Sequence, residues 1–325
     1  MILKKNTTKV FYLFIFSHLI LWTLIPSFSN LNLPLDTIEA LAWGSNLDWG
    51  FNKHPPFSAF AVEIFYFIFG GNDWSFYLLS QIFVAIAFFV VWKFSNEIFE
   101  DKLYSLLSVL ILSGIYFYNF TTPEFNVNVS QLPFWALSVY FFWKSINFNK
   151  KLDWILLGFF SALGFLSKYF FVYLLFTLLI YLILNHQIYK KIYINYFFSL
   201  IVSLLIISPH LKWLIENDFV TILYGFNRTG LISSSFPEIT EQLNNTNLNF
   251  KDSLENININ FKNHLINPII FILKQFIILI PFFLISLSLF KNYKIKINLK
   301  NRKIFFLICI NLIPLILIFI TAIIT

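Results

Sequence analysis

Apolar residues fall into long runs separated by short polar breaks. The runs cover approximately residues 10–27, 75–95, 103–121, 132–148, 154–167, 169–186, 192–209, 268–290 and 304–325. Several reach the ~20 residues a helix needs to cross a hydrocarbon core. None shows the alternation, over stretches of about ten residues, that marks a membrane β-barrel. The pattern predicts an all-α, polytopic transmembrane helical bundle with about nine spans. The stretch 154–186 is too long for one helix and short for two, and Lys168 interrupts it near the middle. It reads as two short helices meeting at the outer surface.

Two polar intervals are longer than turns, at about 28–74 and 209–267, the second rich in Asn, Ser and Thr. Within the first, Phe57 to Phe69 is apolar and ends at Gly70-Gly71. It is too short to span, so an interfacial helix is expected. No internal repeat stands out, which weakens an inverted-repeat transporter reading. The last run stays apolar to Thr325 with no polar tail. The expectation is one transmembrane domain over residues 1–325, incomplete at its C-terminus.

Basic residues orient the spans. With the N-terminus in the cytoplasm, sixteen of the 23 Lys and Arg residues fall in cytoplasmic segments, six of them between Lys291 and Lys303. The seven others, Lys53, Lys168, Lys212, Arg228, Lys251, Lys262 and Lys274, fall outside. Lys4, Lys5 and Lys9 precede the first apolar run as in a signal peptide. No small-x-small cleavage pattern follows, and an uncleaved first helix is expected. The localisation this implies is a multi-pass inner (plasma) membrane protein.

Composition agrees. Hydrophobic residues make up 58% of the chain and charged residues 12%, against about 25% charged in soluble domains. The net charge of +7 invites a nucleic-acid partner, but the basic residues sit in short loops between spans, where topology requires them, so no nucleic acid is expected. The single Cys309 allows neither a disulfide framework nor a cysteine metal site.

Five polar clusters need explaining. Asp36 and Glu39, three apart, share a helix face among apolar residues. They read either as a capping box or as carboxylates facing a cleft, where one can act as general base. Spacing alone favours the cap. Lys53 and His54 precede Pro55-Pro56, which stiffens the loop. They suit a phosphate grip or an ordinary interfacial turn with a snorkelling Lys. Thr122, Glu124, Asn126, Asn128, Ser130 and Gln131 crowd one inter-span segment, and such a wall of donors and acceptors suits a sugar. Lys168, beside Tyr169, needs an anion or carbonyl partner if it stays among apolar residues. Ser208-Pro209-His210, with Lys212 and Trp213, ends a span on the same side. Arg228 follows, a natural phosphate clamp. There is no P-loop, nucleotide-binding Gly-rich turn or zinc motif, so no cofactor or metal is assigned. A site on the outer face has no nucleotide sugar, so its donor has to arrive in the lipid.

These segments together resemble a known family. Asp36-x-x-Glu39-x-x-Ala42-Trp43-Gly44 and Gly50-Phe51-x-Lys53-His54-Pro55-Pro56 are similar to the bacterial branch of the dolichyl-phosphate-mannose protein mannosyltransferases. These are PMT-like, GT-C type enzymes of glycosyltransferase family 39, related to the lipid A aminoarabinose transferases. Pro123-Glu124-Phe125-Asn126-x-Asn128, Gln131-Leu132-Pro133-x-Trp135, Leu166-Ser167-Lys168-Tyr169 and Ser208-Pro209-His210-Leu211-x-Trp213 follow in the expected order. The resemblance implies a GT-C bundle that moves a sugar from a polyprenyl-phosphate donor to a lipid, glycan or protein acceptor. It implies catalytic roles for Asp36, Glu39 and Glu124, with Glu124 standing where many members carry Asp. Substrate or phosphate binding is implied for Lys53, His54, Asn126, Asn128, Lys168, Tyr169, His210 and Arg228. Family members usually continue through further spans, which this chain does not. A glycolipid transporter or flippase is the competing class, but it should carry polar residues near mid-span in both halves, whereas these gather at one face.

Overall fold

The computed structural model describes residues 2–228, 266–280, 282–284 and 298–324. Among these, every regular element is a helix. The longer helices are α1 (Ile2–Ser29), α4 (Asp73–Phe99), α6 (Val127–Phe148), α7 (Lys151–Ser167), α10 (Tyr193–Glu216) and α13 (Arg302–Ile324). The shorter ones are α2 (Leu35–Gly44), α3 (Phe57–Phe69), α5 (Lys102–Ser113), α8 (Val172–Leu184), α9 (His186–Tyr189), α11 (Val220–Arg228) and α12 (Ile266–Ile278). Four segments are long and apolar enough to cross a membrane: Asn6–Ser29, Asp73–Phe99, Tyr193–Glu216 and Arg302–Ile323.

The centre of the bundle is a row in which α4 packs on α6, α6 on α7, and α7 on α10, with α1 and α5 against α4 and α13 against α8. Hydroxyls line the interior of this row. Ser80, Ser105, Ser138, Ser145 and Ser161 are buried, while Leu13, Phe16, Phe67, Phe197 and Leu205 are exposed. Large apolar side chains such as Phe88, Phe142 and Trp154 are buried as well, and the small residues among them let helices approach closely where lipid tails offer no contrast. At Gly158 a Cβ would meet the Ser199 carbonyl and Val202, so only glycine allows this α7–α10 contact. Ser203 Oγ donates to the Gly158 carbonyl across it at 2.7 Å.

The predicted runs are mostly found among the described residues, with two differences. The run 103–121 yields a helix only to Ser113 and then a 3-10 turn at Tyr116–Tyr118. Twelve residues reach about 18 Å, short of a span. The Asn119 side chain donates to the Ser113 carbonyl, giving the backbone an alternative to the next helical turn. The span expected to end at 209 instead continues through Pro209 to Glu216. Proline removes the N–H that would bond the Leu205 carbonyl, and Ser208 Oγ takes that carbonyl at 2.8 Å. In 154–186 the expected break is present. Lys168 is extended (φ −161°, ψ 132°) and Tyr169–Phe171 forms a 3-10 turn between α7 and α8. The short apolar segment of the first interval folds as the expected separate helix, α3.

Arg302 and Lys303 cap the other ends of the central helices. Arg302 Nη2 donates to the Ile146 carbonyl of α6 at 3.1 Å, and Lys303 Nζ reaches the Ile98 carbonyl at 2.9 Å and Glu100 Oε1 at 2.5 Å. Cations at helix C-termini complement the helix dipole. Residues 229–265 of the second predicted loop, and Lys291, Lys294 and Lys296, lie outside the described residues.

Candidate active site

Around the N-terminal end of α6, some thirty ångströms along that helix from Arg302 by its ~1.5 Å rise, four chain segments meet. Asp36, Glu39, Ala40 and Trp43 lie on one face of α2, spaced as a helix stripe. With His54, Ser58, Asn126 and Val127 they line a cleft. Its cavity volume is only about 10 Å³. That is room for about one oxygen-sized group, so a sugar can enter only if the walls part.

Three hydrogen bonds dock the start of α2 on the segment before α6. The Asp36 N–H donates to Glu124 Oε1 at 3.1 Å, Thr37 Oγ1 donates to the Phe125 carbonyl at 3.2 Å, and Asn126 Nδ2 donates to Asp36 Oδ2 at 3.3 Å. Asp36 is therefore not a cap, contrary to the reading that spacing favours. Pro34 is the N-cap of α2 and makes no side-chain cap bond. The Asp36 carboxylate is turned to Asn126 instead. Asn126 does cap a helix: its Oδ1 accepts from the N–H groups of Asn128 (2.9 Å) and Val129 (3.2 Å) at the start of α6. Using the oxygen as cap leaves the amide nitrogen to face Asp36, a donor suited to the ionised carboxylate.

Two lysines flank the carboxylates. Lys53 Nζ pairs with Glu39 Oε1, and that bond raises the lysine above its ordinary pKa, keeping it an ammonium. Lys168 Nζ donates to Asn128 Oδ1 at 2.6 Å, the carbonyl-type partner that its position demands. Burial pushes Lys168 down, partly offset by Asp36. His54 stands edge-on to Trp43, with ring centres 5.9 Å apart. Burial and then the Lys168 charge lower its pKa, so near neutral pH it is an imidazole able to donate one N–H, not a cation.

Tyr169 and His210, expected to bind substrate, do not line the cleft. They stand behind the loop that carries Lys53. Tyr169 OH and His210 Nε2 are 2.7 Å apart, and His210 Nδ1 lies 2.5 Å from the Trp49 carbonyl. Next to them Trp213 Nε1 donates to Asp48 Oδ2 at 2.7 Å, and Thr221 Oγ1 donates to the Phe51 carbonyl at 2.5 Å. Gly50 lies flat under the Trp213 ring, where a Cβ would collide. Helices α10 and α11 thus hold residues 48–51 in place. Of the polar segment before α6, Glu124, Asn126 and Asn128 join the site. Thr122 points into the bundle, where its Oγ1 accepts from Gln81 Nε2 at 3.3 Å. Arg228 ends α11, and its side chain lies outside the described residues. Among the described residues no group of three His, Cys, Asp or Glu side chains is set to hold a metal ion. Trp43 and Ser58 line the cleft without having been singled out for chemistry. Trp43 follows from the α2 stripe, at seven residues from Asp36. Ser58 carries no signal in an apolar run.

An all-helical bundle with apolar membrane-spanning helices and a polar cleft at one end defines the class as a polytopic membrane protein. Within it the chain is PMT-like: residues 53–213 match the family described as dolichyl-phosphate-mannose-protein mannosyltransferase. The matched stretch contains Lys53, His54, Glu124, Asn126, Asn128, Lys168, Tyr169 and His210, and begins after Asp36 and Glu39. The chain is also similar to the undecaprenyl phosphate-alpha-4-amino-4-deoxy-L-arabinose arabinosyl transferase of Wigglesworthia glossinidia brevipalpis, with 28% identity over 163 residues. That alignment covers 47% of this chain and 28% of the relative's length. No solved structure matches the chain.

Proposed function

We propose that the protein is a membrane glycosyltransferase that moves a sugar from a polyprenyl-phosphate donor to an acceptor on the non-cytoplasmic face, with Asp36 as the base or acceptor-orienting group. The observation that carries the reading is the Asp36 carboxylate, held on the cleft wall by Asn126 and flanked by Lys53 and Lys168. Transfer is a single displacement with inversion. The acceptor O–H or N–H gives its proton to the Asp36 carboxylate as its heteroatom bonds the anomeric carbon. The anomeric C–O bond breaks, and its electron pair leaves on the lipid phosphate. A leaving phosphate needs charge neutralisation more than protonation. The two ammonium groups supply charge, and the neutral His54 supplies a hydrogen bond. Glu39 holds Lys53 in place through the ion pair, and Glu124 fixes the α2 backbone, so both act as positioning residues in this arrangement.

A lipid-borne donor also needs a path for its chain. An apolar groove lined by Pro56, Phe57, Phe60, Ile64, Leu163 and Ile206 begins two residues from His54 and runs between α3, α7 and α10. It lies at the same end of α3 as the cleft, which suits a phosphate in the cleft with its prenyl chain in the groove. The similarity to a transferase named for an undecaprenyl phosphate sugar supports the same donor class. Mass spectrometry of surface glycolipids from cells with and without the full-length gene tests the reading. A glycosylated species should depend on the gene and vanish with Asp36→Asn at unchanged membrane level. Full product from that variant refutes the role of Asp36.

A further inference from the structure

Helix α3 opens directly onto the cleft. Its first bond runs from the Phe60 N–H to the Pro56 carbonyl at 3.1 Å, so the N–H groups ahead of it project from the helix end. The N-cap, Pro56, makes no side-chain cap bond, and the first turn carries no acidic residue. An uncapped start with its positive dipole end favours an anion. Ser58, the second residue of α3, adds an independent observation. It is 1% exposed, it lines the cleft, and its Oγ has no hydrogen-bond partner among the described residues. A buried hydroxyl left without a partner costs free energy, so one that belongs to a residue on the cleft wall invites a ligand atom there. The cleft is also two-sided. Asp36 and Glu39 line the α2 wall, whereas His54 and Ser58, in the first turn of α3, line the other. A molecule with hydroxyl or amine groups at one end and a phosphate at the other fits this division.

We propose that the Ser58 hydroxyl and the uncapped first turn of α3 seat a phosphate oxygen across the cleft from Asp36, a role that rests on the glycosyltransferase reading above. Ser58 donates its O–H to the oxygen, and the α3 N–H groups face the same atom. The seat holds phosphate in the donor complex and again when the phosphate has become the leaving group.

The test uses the full chain in lipid nanodiscs, with undecaprenyl phosphate, undecaprenol and inorganic phosphate as probes. Ser58→Ala should melt at or above the wild-type temperature without ligand, because it removes an unpartnered buried hydroxyl. It should bind undecaprenyl phosphate about tenfold more weakly, the loss of one hydrogen bond to a charged group, and undecaprenol as wild type does. Ser58→Thr should keep the phosphate preference. Where Ser58→Ala itself lowers the melting temperature, Ser58→Thr against Ser58→Val carries the comparison, since the two differ by the hydroxyl at similar shape. Inorganic phosphate that displaces the lipid, and whose own binding falls in Ser58→Ala, supports the seat as one for the anion alone. Wild-type affinity of Ser58→Ala for undecaprenyl phosphate, in a protein that still prefers it to undecaprenol, overturns the seat and leaves the donor reading intact. A wild-type protein with no preference for the phosphate over the alcohol overturns the donor reading and the seat with it.

Discussion

Asn126 performs two tasks with one side chain, and three substitutions separate them. Its Oδ1 caps α6 through bonds of 2.9 and 3.2 Å, and its Nδ2 holds Asp36 at 3.3 Å. Asn126→Ala removes both. Losing an N-cap costs about 1 kcal/mol, and losing a partly exposed bond to a carboxylate adds roughly 0.5–1 kcal/mol. The total of about 2 kcal/mol should lower the melting temperature by a few degrees. Asn126→Ser keeps a competent cap but has no amide to offer Asp36, so it should recover most of the stability and little of the activity. Asn126→Asp also caps well, and a negative charge at the α6 N-terminus is worth about 0.5 kcal/mol. Opposing it, a carboxylate oxygen now faces Asp36 Oδ2, and two like charges ~4 Å apart repel by about 1 kcal/mol in water and more at lower dielectric. Stability should therefore stay within ~1 kcal/mol of wild type while transfer falls sharply, because the base is pushed from its place or held protonated. Thermal melting of the purified protein, read beside glycolipid yield by mass spectrometry, gives both axes. If Asn126→Ala melts with the wild type, or Asn126→Asp gives wild-type yield, the double role is wrong.

His54 makes stability depend on pH. Burial and Lys168 lower its folded pKa below the ordinary 6.5, so below about pH 6.5 the unfolded chain binds the proton more readily than the folded one. Its contribution is fully present above that pH and is lost as pH falls towards the folded value. Melting between pH 7.5 and 5.5 should drop more steeply for wild type than for His54→Gln, and parallel curves would refute the assignment. Gly50→Ala should destabilise by about 1–3 kcal/mol through overpacking against the Trp213 ring. It should also shift Trp213 fluorescence as the ring yields, and an unchanged melting temperature and spectrum would show that the loop is not clamped there.

What the sequence revealed and what it hid divide along the range of the interactions. The transmembrane helices, the break at Lys168 and the separate helix at Phe57–Phe69 follow from local hydrophobicity, since each run must satisfy its own backbone in lipid. The early stop of α5 at Ser113 does not, because it depends on one asparagine that takes a backbone carbonyl. Nor does the continuation of α10 through Pro209, which depends on the serine before it. In the site, the residue types were legible but their partners were not. Asp36 and Glu39 read as a capping box because their spacing satisfies one, and only a contact 90 residues away, to Asn126, turns Asp36 into the cleft. Lys168 showed its need for an anion or a carbonyl from its apolar flanks alone, yet which of the two it meets, the Asn128 carbonyl, is set 40 residues earlier. Tyr169 and His210 had the right chemistry for a ligand and spend it on the Trp49 carbonyl, 161 residues from His210. Ser58 is the reverse case. In a one-dimensional pattern it is a small residue in an apolar helix, a position usually read as packing. Its significance appears only in three dimensions, where it lines the cleft and its buried hydroxyl has no hydrogen-bond partner among the described residues.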